Sequence, residues 1–437
     1  MAHHPSIFFT AKPMPNAAPA HCFFSSMASR SQIFPVTVRD SPPLRVANSS
    51  AAEPSFKEDI DACKVAISSF ALSERHIVVG CGTVSLDYLA KVASFPQPDE
   101  KIRAIDSQVQ GGGNVGNALT AGARLGLKPR LISKVGNDAS GNRIIAELEA
   151  AGVDTSYVVI ADGGNSPFTY VIVDQEKNTR TCIHTPGQPL MEPNELSSST
   201  ITALLSGAKL VYFDGRLTDT ALLIANEASQ QKLPILVDAE RKRDHLDELL
   251  TFANYIVASA KFPQAWTGSS SLASALLSMA IRLEKLTFLI VTLGSSGCVM
   301  LEKLDYGNSD HNEVMDVNLL LKSLQKEATQ SNHRHPVVLS SKVGKLTLTS
   351  PGGGFTEKFV YGRLLLGMAE SIPPEELVDT TGAGDAFIGA IIYSICVGLP
   401  PEKMLPLGAV VAGANCRALG ARDGLPLRDD ARVCAFL

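Results

Sequence analysis

The chain has 437 residues, of which 45% are hydrophobic and 19% charged, and its formal net charge is −5 at pH 7. This composition is typical of a soluble globular protein, and nothing in it indicates a nucleic-acid partner. No run of 18 or more apolar residues occurs, so we expect no membrane span. The eight cysteines form no C-x-x-C pair and no metal-like spacing with histidine, which favours a reducing compartment.

The first fifty residues differ in composition from the rest of the chain. They are rich in Ser, Ala and Pro, and they carry four basic residues but a single acid, Asp40. This composition is typical of a transit peptide, although a merely disordered tail would share it, and Ile7–Phe9 is too short for a secretory signal. We therefore predict that residues 1–70 are a transit peptide and disordered extension. The chloroplast is the expected destination, with the mitochondrion or the cytoplasm as alternatives.

A globular pattern begins at His76. The apolar run Ile77–Gly80 predicts a short buried strand, and the turn that we expect after it carries Asp87. The glycine-rich segment Gly111–Asn114 then leads into a helix-like run that ends near Leu125. A strand followed by a helix is the first unit of an α/β pattern.

Strands without helices are predicted in the next part of the chain. Phe168–Val173 and Thr179–Ile183 have the residue types and the flanking turns of paired strands. We predict that lid strands at about 98–110 and 168–184 form a small β-sheet that folds over a site.

Strands and helices alternate in the remaining segments. The predicted elements are the strands Leu131–Val135, Leu210–Phe213, Ile235–Asp238, Tyr255–Ala258, Phe288–Leu293 and Phe359–Leu366, and the helices Gly141–Ala151, Ala386–Val397 and Pro401–Leu419. This order predicts an α/β fold with a mostly parallel central sheet that is covered on both faces. Ligands of such sheets bind beyond the carboxyl ends of the strands.

The segment from 303 to about 355 interrupts this alternation. It is a mixed polar stretch with a short amphipathic piece near Leu319–Leu324, and it contains Pro351–Gly354. A structureless segment of this length inside a compact domain is either functional or disordered. We predict a disordered insertion within a single domain that spans residues 76–437.

The segment Asp379–Phe387 carries the clearest chemical signal. Two hydroxyls and a Gly-Ala-Gly turn precede Asp385 at a predicted helix start. Backbone N–H groups at such a turn, together with the positive end of the helix dipole, can stabilise the charge of a phosphoryl group in transfer. Asp385 could then accept a proton from an attacking hydroxyl. A glycine-rich helix start with a favourable acid in its first turn would have the same sequence.

A second glycine-rich segment, Gly111–Ala118, stands where another loop enters a helix. Little side-chain bulk precedes Asn114, so a polyol could approach the backbone while Asn114 and Asn117 hydrogen-bond to it from one helical face. A tight turn with an Asn cap is the alternative. The chain lacks both G-x-x-x-x-G-K-[ST] and a complete G-x-G-x-x-G, which argues against a P-loop or an NAD site.

These two segments, in this order, resemble the two signatures of the ribokinase-like (PfkB) carbohydrate kinases. Phe213–Arg216 is similar to the ketohexokinase-type branch, and the resemblance runs from about His76 to the C-terminus outside the 303–355 segment. It implies a ribokinase-like three-layer αβα sandwich with a small β-sheet lid. It also implies ATP-dependent phosphorylation of a primary hydroxyl of a small sugar or polyol, of ketohexose or pentose type.

The resemblance implies roles for particular residues. The implied anion hole and catalytic base are Gly382, Ala383, Gly384 and Asp385. The residues implied to bind the sugar are Asp87, Gly113, Asn114, Asn117 and Arg216, and those predicted to contact ATP are Thr292, Gly294, Gly297 and Asn415. Each of these residues also has a purely structural alternative. Asp87 could be a turn acid, and Arg216 could be an exposed residue at the end of a strand. The 291–297 loop could be a hairpin turn, and the helix around Asn415 could owe its small residues to close helix packing.

One departure from the family concerns magnesium. Many members have an Asn-x-x-Glu segment where this chain has Ser259–Phe262. Mg²⁺ would then be held mainly by ATP oxygens, water and acids such as Asp238 or Glu240. Asp379 and Thr381 could help to bind a monovalent cation such as K⁺, as in some relatives.

Two other functions remain compatible with the sequence. A non-catalytic kinase-fold binding module in a plastid complex would fit the missing Asn-x-x-Glu and the long insertion, although the intact Gly382–Asp385 cluster weighs against it. A nucleoside could replace the sugar as acceptor, and an aromatic-rich pocket would favour it. The expected partners are a small sugar, ATP and a second copy of the chain that binds through the lid sheet, without nucleic acid or membrane.

Overall fold

The computed structural model describes residues 76–305, 313–330, 335–349 and 357–437. The predicted transit peptide lies outside these ranges. The strands are β1 (Ile77–Cys81), β2 (Ser85–Val92), β3 (Asp106–Gly112), β4 (Lys128–Ile132), β5 (Lys134–Gly136), β6 (Val159–Ala161), β7 (Phe168–Asp174), β8 (Thr179–Thr185), β9 (Ala208–Phe213), β10 (Ile235–Ala239), β11 (Tyr255–Ser259), β12 (Phe288–Thr292), β13 (Cys298–Lys303), β14 (Val314–Asp316), β15 (Val338–Ser340), β16 (Gly344–Thr347) and β17 (Val360–Gly367).

The helices alternate with these strands over most of the chain. They are α1 (Asn114–Arg124), α2 (Ala139–Ala150), α3 (Ser198–Leu205), α4 (Thr218–Gln230), α5 (Leu246–Leu250), α6 (Phe262–Thr267), α7 (Leu272–Arg282), α8 (Val317–Gln330), α9 (Ala383–Val397), α10 (Pro401–Asn415) and α11 (Ala431–Cys434). No helix in the described ranges combines the length and the apolar character needed to cross a membrane. The cysteines within these ranges are free thiols.

A large central sheet organises the domain. Within the described ranges it has eleven strands in the order β14-β16-β17-β13-β12-β11-β10-β9-β1-β4, and β15 also pairs with β17. The strands from β4 to β12 in this order run parallel, and β13 and β17 continue the sheet in antiparallel pairs. The predicted α/β architecture with a mostly parallel sheet is confirmed.

Both faces of this sheet are buried. In β1, Val78 packs into one hydrophobic core and Val79 into the other, because successive side chains of a strand point to opposite faces. Helices α1, α9 and α10 cover the Val78 face, and helices α4 and α7 cover the Val79 face. The parallel strands are therefore short runs of aliphatic residues, and the fold is a three-layer sandwich.

Helices α1 and α9 pack against each other at unusually short range. A Cβ atom on Gly389 would lie 2.5 Å from the Cβ of Ala121 and 2.6 Å from the carbonyl oxygen of Ala118. Each helix also begins after a glycine in the left-handed region, with φ of 85° at Gly113 and 73° at Gly382. The two helices consequently start side by side.

A separate four-stranded sheet, in the order β3-β2-β7-β8, forms the lid. The sequence predicted two of its regions, at about 98–110 and 168–184, and the first begins later than expected, at Asp106. The prediction that a turn carries Asp87 is wrong, because Asp87 lies within β2. This strand pairs with β3 across a connection of 13 residues and with β7, which comes much later in the chain, so no short turn marks it.

The prediction of a disordered insertion at 303–355 is wrong over the described part of that segment. It contains the helix α8 and the strands β14, β15 and β16, and the strands belong to the central sheet near its far edge. Val317, Leu321 and Leu324 recur at helical spacing and are buried in the main core, so α8 has an apolar face to pack. Pro351–Gly354 lies outside the described residues.

Gly389→Ala tests the close contact between α1 and α9. The added methyl group must displace Ala121 or the α1 backbone, and such over-packing costs about 1–3 kcal/mol. We expect a lower free energy of unfolding in urea, even though alanine is favoured over glycine in an open helix by roughly 1 kcal/mol. Gly384→Ala on the same helix is the control, because no atom lies within 4 Å of a Cβ placed there. Equal stability of the two variants would contradict the packing argument.

Candidate functional site

Two adjoining cavities open at the carboxyl ends of the parallel strands. The first, of about 560 Å³, lies beneath the inner face of the lid and is called the lid cavity. The second, of about 350 Å³, lies between the β12–β13 hairpin and helices α9 and α10 and is called the hairpin cavity. Thr292 and Gly384 line both, so the two cavities meet at the start of α9.

The lid cavity brings most of the predicted site residues together. Those that line it are Asp87, Gly113, Asn114, Asn117, Arg216, Asp238, Glu240, Thr292, Thr381, Gly382, Gly384 and Asp385. They come from the lid, the strand ends and the starts of α1 and α9. The apolar part of the lining is aliphatic, and no Phe, Tyr or Trp occurs among its described residues.

Asp385 lies half-buried in the first turn of α9 and faces the lid cavity. The side-chain amide of Asn117 donates a hydrogen bond to its Oδ2 at 2.8 Å. Burial raises the pKa of Asp385 to about 7, while the Asn117 bond and the positive charges of Arg216 and Arg180 oppose the rise. A carboxylate with a pKa near neutrality is suited to act as a general base.

The turn before Asp385 is held rigidly from two sides. Asp379 accepts hydrogen bonds from the N–H and the hydroxyl of Thr381, at 2.9 and 2.8 Å, and from the N–H of Gly420 at 2.9 Å. The N–H of Ala383 already donates to Thr380 at 3.3 Å, whereas the N–H of Gly384 lies in the first helical turn, where no intrahelical acceptor exists. Asp379 and Thr381 thus shape the turn, and their role in binding a monovalent cation stays a prediction.

Asn415 does not occupy the place that the sequence suggested. It is fully buried and lines neither cavity, and its side-chain amide donates to the carbonyl oxygen of Thr381 at 2.8 Å. The prediction that it contacts ATP therefore does not fit the structure. Its position supports the turn that leads into α9.

Asp87 points from the lid into the cavity. The hydroxyl of Ser85 donates to its Oδ1 at 2.7 Å, and burial raises its pKa. A Cβ on Gly112 would lie 2.0 Å from Oδ2 of Asp87, so only glycine leaves room for this carboxylate. Gly113 is equally restricted, because a Cβ there would lie 2.4 Å from the carbonyl oxygen of Thr83.

Arg216 is tied into the cavity wall. Its Nη2 donates to Oδ1 of Asn114 at 3.1 Å and to Oε2 of Glu240 at 2.7 Å, and only 20% of its side chain is exposed. The buried carboxylate of Asp214 accepts from the N–H groups of Arg216 and Thr83, at 3.0 and 2.8 Å. The loops after β1 and β9 are thereby joined, and Arg216 is not the freely exposed strand end that was the alternative.

Asp238 and Glu240 differ in their suitability for magnesium. Burial, together with the negative charges of Asp385, Asp214 and Glu240, raises the pKa of Asp238 well above its ordinary value. Such crowding of carboxyl groups fits a nearby divalent cation. Glu240 is instead engaged by Arg216. The described residues contain no cluster of three or more His, Cys, Asp or Glu that could hold a metal alone, so ATP oxygens and water would have to supply most ligands.

Sequence reasoning missed Arg180 and His184, which line the lid cavity from β8. Nη1 of Arg180 donates to the hydroxyl of Thr380 at 2.9 Å, next to the turn that precedes Asp385. The ring of His184 lies 3.1 Å from the hydroxyl of Thr169. Both belong to a polar hairpin, and only the register of β7 against β8 shows that they face inward.

The hairpin cavity contains three of the predicted nucleotide residues, Thr292, Gly294 and Gly297. The 291–297 segment forms a hairpin turn, because β12 and β13 on either side of it pair in antiparallel fashion. This was the structural alternative for the segment. The turn also requires glycine, because a Cβ on Gly297 would lie 2.0 Å from the carbonyl oxygen of Gly367. Small residues of α10 form the opposite wall and leave space for a flat group.

Comparison with known proteins identifies related chains. A family model described as pfkB family carbohydrate kinase matches residues 76–318 and 366–428. Ketohexokinase of Mus musculus is 21% identical over 361 residues, which are 80% of this chain and 99% of that protein. Ribokinase of Mus musculus is 22% identical over 372 residues, 83% of this chain and 96% of that protein.

A solved structure shows the same fold. Arabidopsis thaliana ribokinase complexed with ribose and ATP aligns with a TM-score of 0.57 and 19% identity, over 83% of this chain and 99% of that one. This likeness confirms the predicted ribokinase-like fold. The resemblance to PfkB carbohydrate kinases is confirmed by the family model.

The protonation of Asp385 can be measured directly. With carbon-13 in the aspartate carboxyl groups, we expect the resonance that Asp385→Asn removes to titrate near pH 7 in NMR, because burial raises its pKa to about 7. Asn117→Ala should move this midpoint to higher pH, since the amide bond stabilises the ionised form. A midpoint close to the ordinary aspartate value of about 4 would contradict the burial argument.

Proposed function

The chain belongs to the pfkB family of carbohydrate kinases, whose members phosphorylate sugar hydroxyls, and we propose that it transfers the γ-phosphoryl group of ATP to a primary hydroxyl of a small sugar or polyol. The observation that carries this proposal is the position of Asp385 and the Gly382–Gly384 turn where the lid cavity meets the hairpin cavity. A base and backbone donors at this junction would serve a hydroxyl held on one side and a phosphoryl donor held on the other.

The lid cavity has the chemistry of a sugar site. Asp87 offers carboxylate acceptors, Asn114 and Arg216 offer amide and guanidinium groups, and Gly113 allows close approach to the backbone. Polar groups of this kind bind hydroxyls, while the aliphatic remainder offers no large aromatic ring on which a nucleobase could stack. We therefore favour a sugar or polyol over a nucleoside as acceptor.

The transfer follows from the arrangement around α9. Asp385 takes the proton of the attacking hydroxyl through its carboxylate, and the amides at the start of α9 stabilise the charge on the phosphoryl oxygens. Arg180 reaches the same place from the lid and adds positive charge beside Thr380. Mg²⁺, when bound near Asp238, supplies neutralisation of the phosphate charges.

The remaining parts of the site serve ATP and the exclusion of water. We assign the hairpin cavity to the nucleotide, in keeping with the ATP and ADP that are bound in the solved ribokinases of Arabidopsis thaliana and Cryptococcus neoformans. The lid strands cover the sugar side of the junction, and exclusion of water there would favour transfer over hydrolysis of ATP. Binding of K⁺ and import into a chloroplast stay predictions. The import prediction depends on the N-terminal segment, which lies outside the described ranges.

Asp385→Asn tests the base directly. The wild-type enzyme should consume ATP with at least one member of a panel of ketohexoses, pentoses and polyols, and nucleosides are tested beside this panel as the alternative acceptors. The variant should lose kcat by roughly 10²- to 10⁴-fold, because the amide cannot accept the proton. The affinity of the variant for ADP, measured by calorimetry, should be unchanged. Asp429→Asn is the control, because Asp429 is exposed and lies outside both cavities.

Two results would count against the proposal. Near-normal turnover by Asp385→Asn would exclude this residue as the base. Failure of the wild-type enzyme with every acceptor, sugars and nucleosides alike, would favour the non-catalytic binding module instead.

We also propose that two copies of the chain associate through the outer face of the lid. The register places Val109, Tyr88, Tyr170 and Ile183 in one row across the four strands. Val109 is partly packed against the core, so Tyr88, Tyr170 and Ile183 form the exposed part of the row. Tyr170 and Ile183 are 51% and 54% exposed, whereas the alternate residues face the cavity. A flat apolar row on an exposed sheet face is suited to pairing with an identical one.

Tyr170→Glu tests this association, because it places a charge in the middle of the row. Light scattering should give the mass of a dimer for the wild-type protein and of a monomer for the variant. Leu319→Glu is the matched control, since Leu319 is an apolar residue that is 66% exposed on α8. A monomeric wild-type protein at every accessible concentration would rule the interface out.

A further inference from the structure

Arg422 lies in the loop after α10 and is almost completely buried, with 5% of its surface exposed. Its Nε donates to Oδ1 of Asn117 at 2.9 Å, and its Nη2 donates to the carbonyl oxygen of Gly112 at 3.0 Å. Its hydrogen bonds thus go to an amide oxygen and a carbonyl oxygen. Burial lowers its pKa to about 10, which still leaves the guanidinium charged at neutral pH.

The first glycine-rich segment makes room for this side chain. A Cβ on Gly111 would lie 2.4 Å from Nη1 of Arg422, and a Cβ on Gly116 would lie 2.7 Å from Nη2. Gly111, which precedes Asn114 and was associated with the approach of a sugar, therefore faces a buried guanidinium, and so does Gly116. The carboxylates of Glu147, Asp87 and Asp385 offset part of the cost of burying this charge. Its hydrogen bonds nevertheless go to Asn117 and Gly112, next to the starts of the two helices.

Neighbouring residues of the same loop contact the start of α9. The N–H of Gly420 bonds to Asp379, and a Cβ on Gly382 would lie 2.4 Å from the Cβ of Ala421. Arg422 extends these contacts to the start of α1. One loop thus touches the starts of both helices.

The chemistry of the Asn117 amide explains what Arg422 can do. An asparagine amide can rotate by half a turn, which exchanges its oxygen and its NH₂ group. A guanidinium has only hydrogen-bond donors, so it can hydrogen-bond to the amide oxygen but not to the NH₂ group. With Oδ1 held by Arg422, the NH₂ group must face the carboxylate of Asp385, as the 2.8 Å hydrogen bond shows. In the rotated state the amide oxygen would face that carboxylate and repel it.

We propose that Arg422 is a positioning residue that orients the Asn117 amide and, through it, the carboxylate of Asp385. The inference rests on the proposed function, in which Asp385 is the base. With Oδ2 engaged by Asn117, Oδ1 of Asp385 is the oxygen left to receive the proton of the acceptor hydroxyl. Arg422 itself touches neither the acceptor hydroxyl nor the phosphoryl group, since it lines neither cavity.

Arg422→Met tests the proposal, because methionine fills similar space without a donor. We expect kcat to fall on the order of tenfold to a hundredfold, as for a slightly misplaced catalytic group, with KM values for ATP and sugar changed less than about threefold. The acid limb of the kcat profile should move to higher pH by about one unit, because the ionised form of Asp385 loses a hydrogen bond and the nearby positive charge of Arg422. Arg422→Lys, which keeps a group with donors only, should recover most of the activity.

A double-mutant cycle separates positioning from general support of the fold. If Arg422 acts through Asn117, Arg422→Met should add little to the loss of kcat that Asn117→Ala causes alone. The proposal would be overturned if Arg422→Met lowered kcat by the same factor in the wild-type protein and in Asn117→Ala. It would also be overturned if Arg422→Met left kcat and its pH profile unchanged. Should the methionine variant fail to fold, Arg422→Gln carries the same test, with a smaller loss in the same direction.

The NMR titration of Asp385 distinguishes failure of this inference from failure of the proposed function. The midpoint of Asp385 should rise in Arg422→Met, and it should rise less where Asn117 is already alanine, because loss of the Arg422 charge alone would raise it equally in both proteins. This result does not depend on whether an acceptor has been found. An unchanged midpoint would refute the positioning role. A raised midpoint in a protein that phosphorylates no acceptor would refute only the proposed reaction.

Discussion

The close packing of α1 against α9 is the constraint on which the site depends. Because Gly389 carries no side chain at the contact, the two helices approach closely enough for Asn117 to bond to Asp385 at 2.8 Å. Their starts then face one junction, where the amides of α9 and the polar residues of α1 act on the same space. A wider separation would leave both glycine-rich segments in place but remove their cooperation.

Burial at this junction gives its charges unusual properties. Asp385 and Asp238 both have raised pKa values because water is largely removed from them, and nearby arginines partly compensate. In such a medium a charge or a donor interacts more strongly than it would in water. The same low polarity that makes Asp385 a usable base at neutral pH also makes the orientation of each neighbouring amide important.

Local patterns predicted much of the fold and part of the site. The buried parallel strands were located to within a few residues, because short runs of aliphatic residues bounded by polar residues, glycine or proline are typical of buried strands. The start of α9 was predicted because glycine next to an acid has a direct chemical meaning. The 303–355 segment was misjudged because its strands are only three or four residues long and pair with each other and with β17. Asn415 faces the carbonyl group of Thr381, which lies 34 residues earlier in the chain.

The amino-acid sequence by itself determined the alternation of strands and helices, the two glycine-rich helix starts and the identity of Asp385, because each of these depends on neighbours within a few residues. Only the tertiary structure decided that Arg180 faces inward, that Asp87 belongs to a lid strand and that Arg422 holds Asn117. These roles depend on contacts between segments tens to hundreds of residues apart. Such contacts leave no local pattern, because they are set by the packing of whole helices and by the register of the sheet.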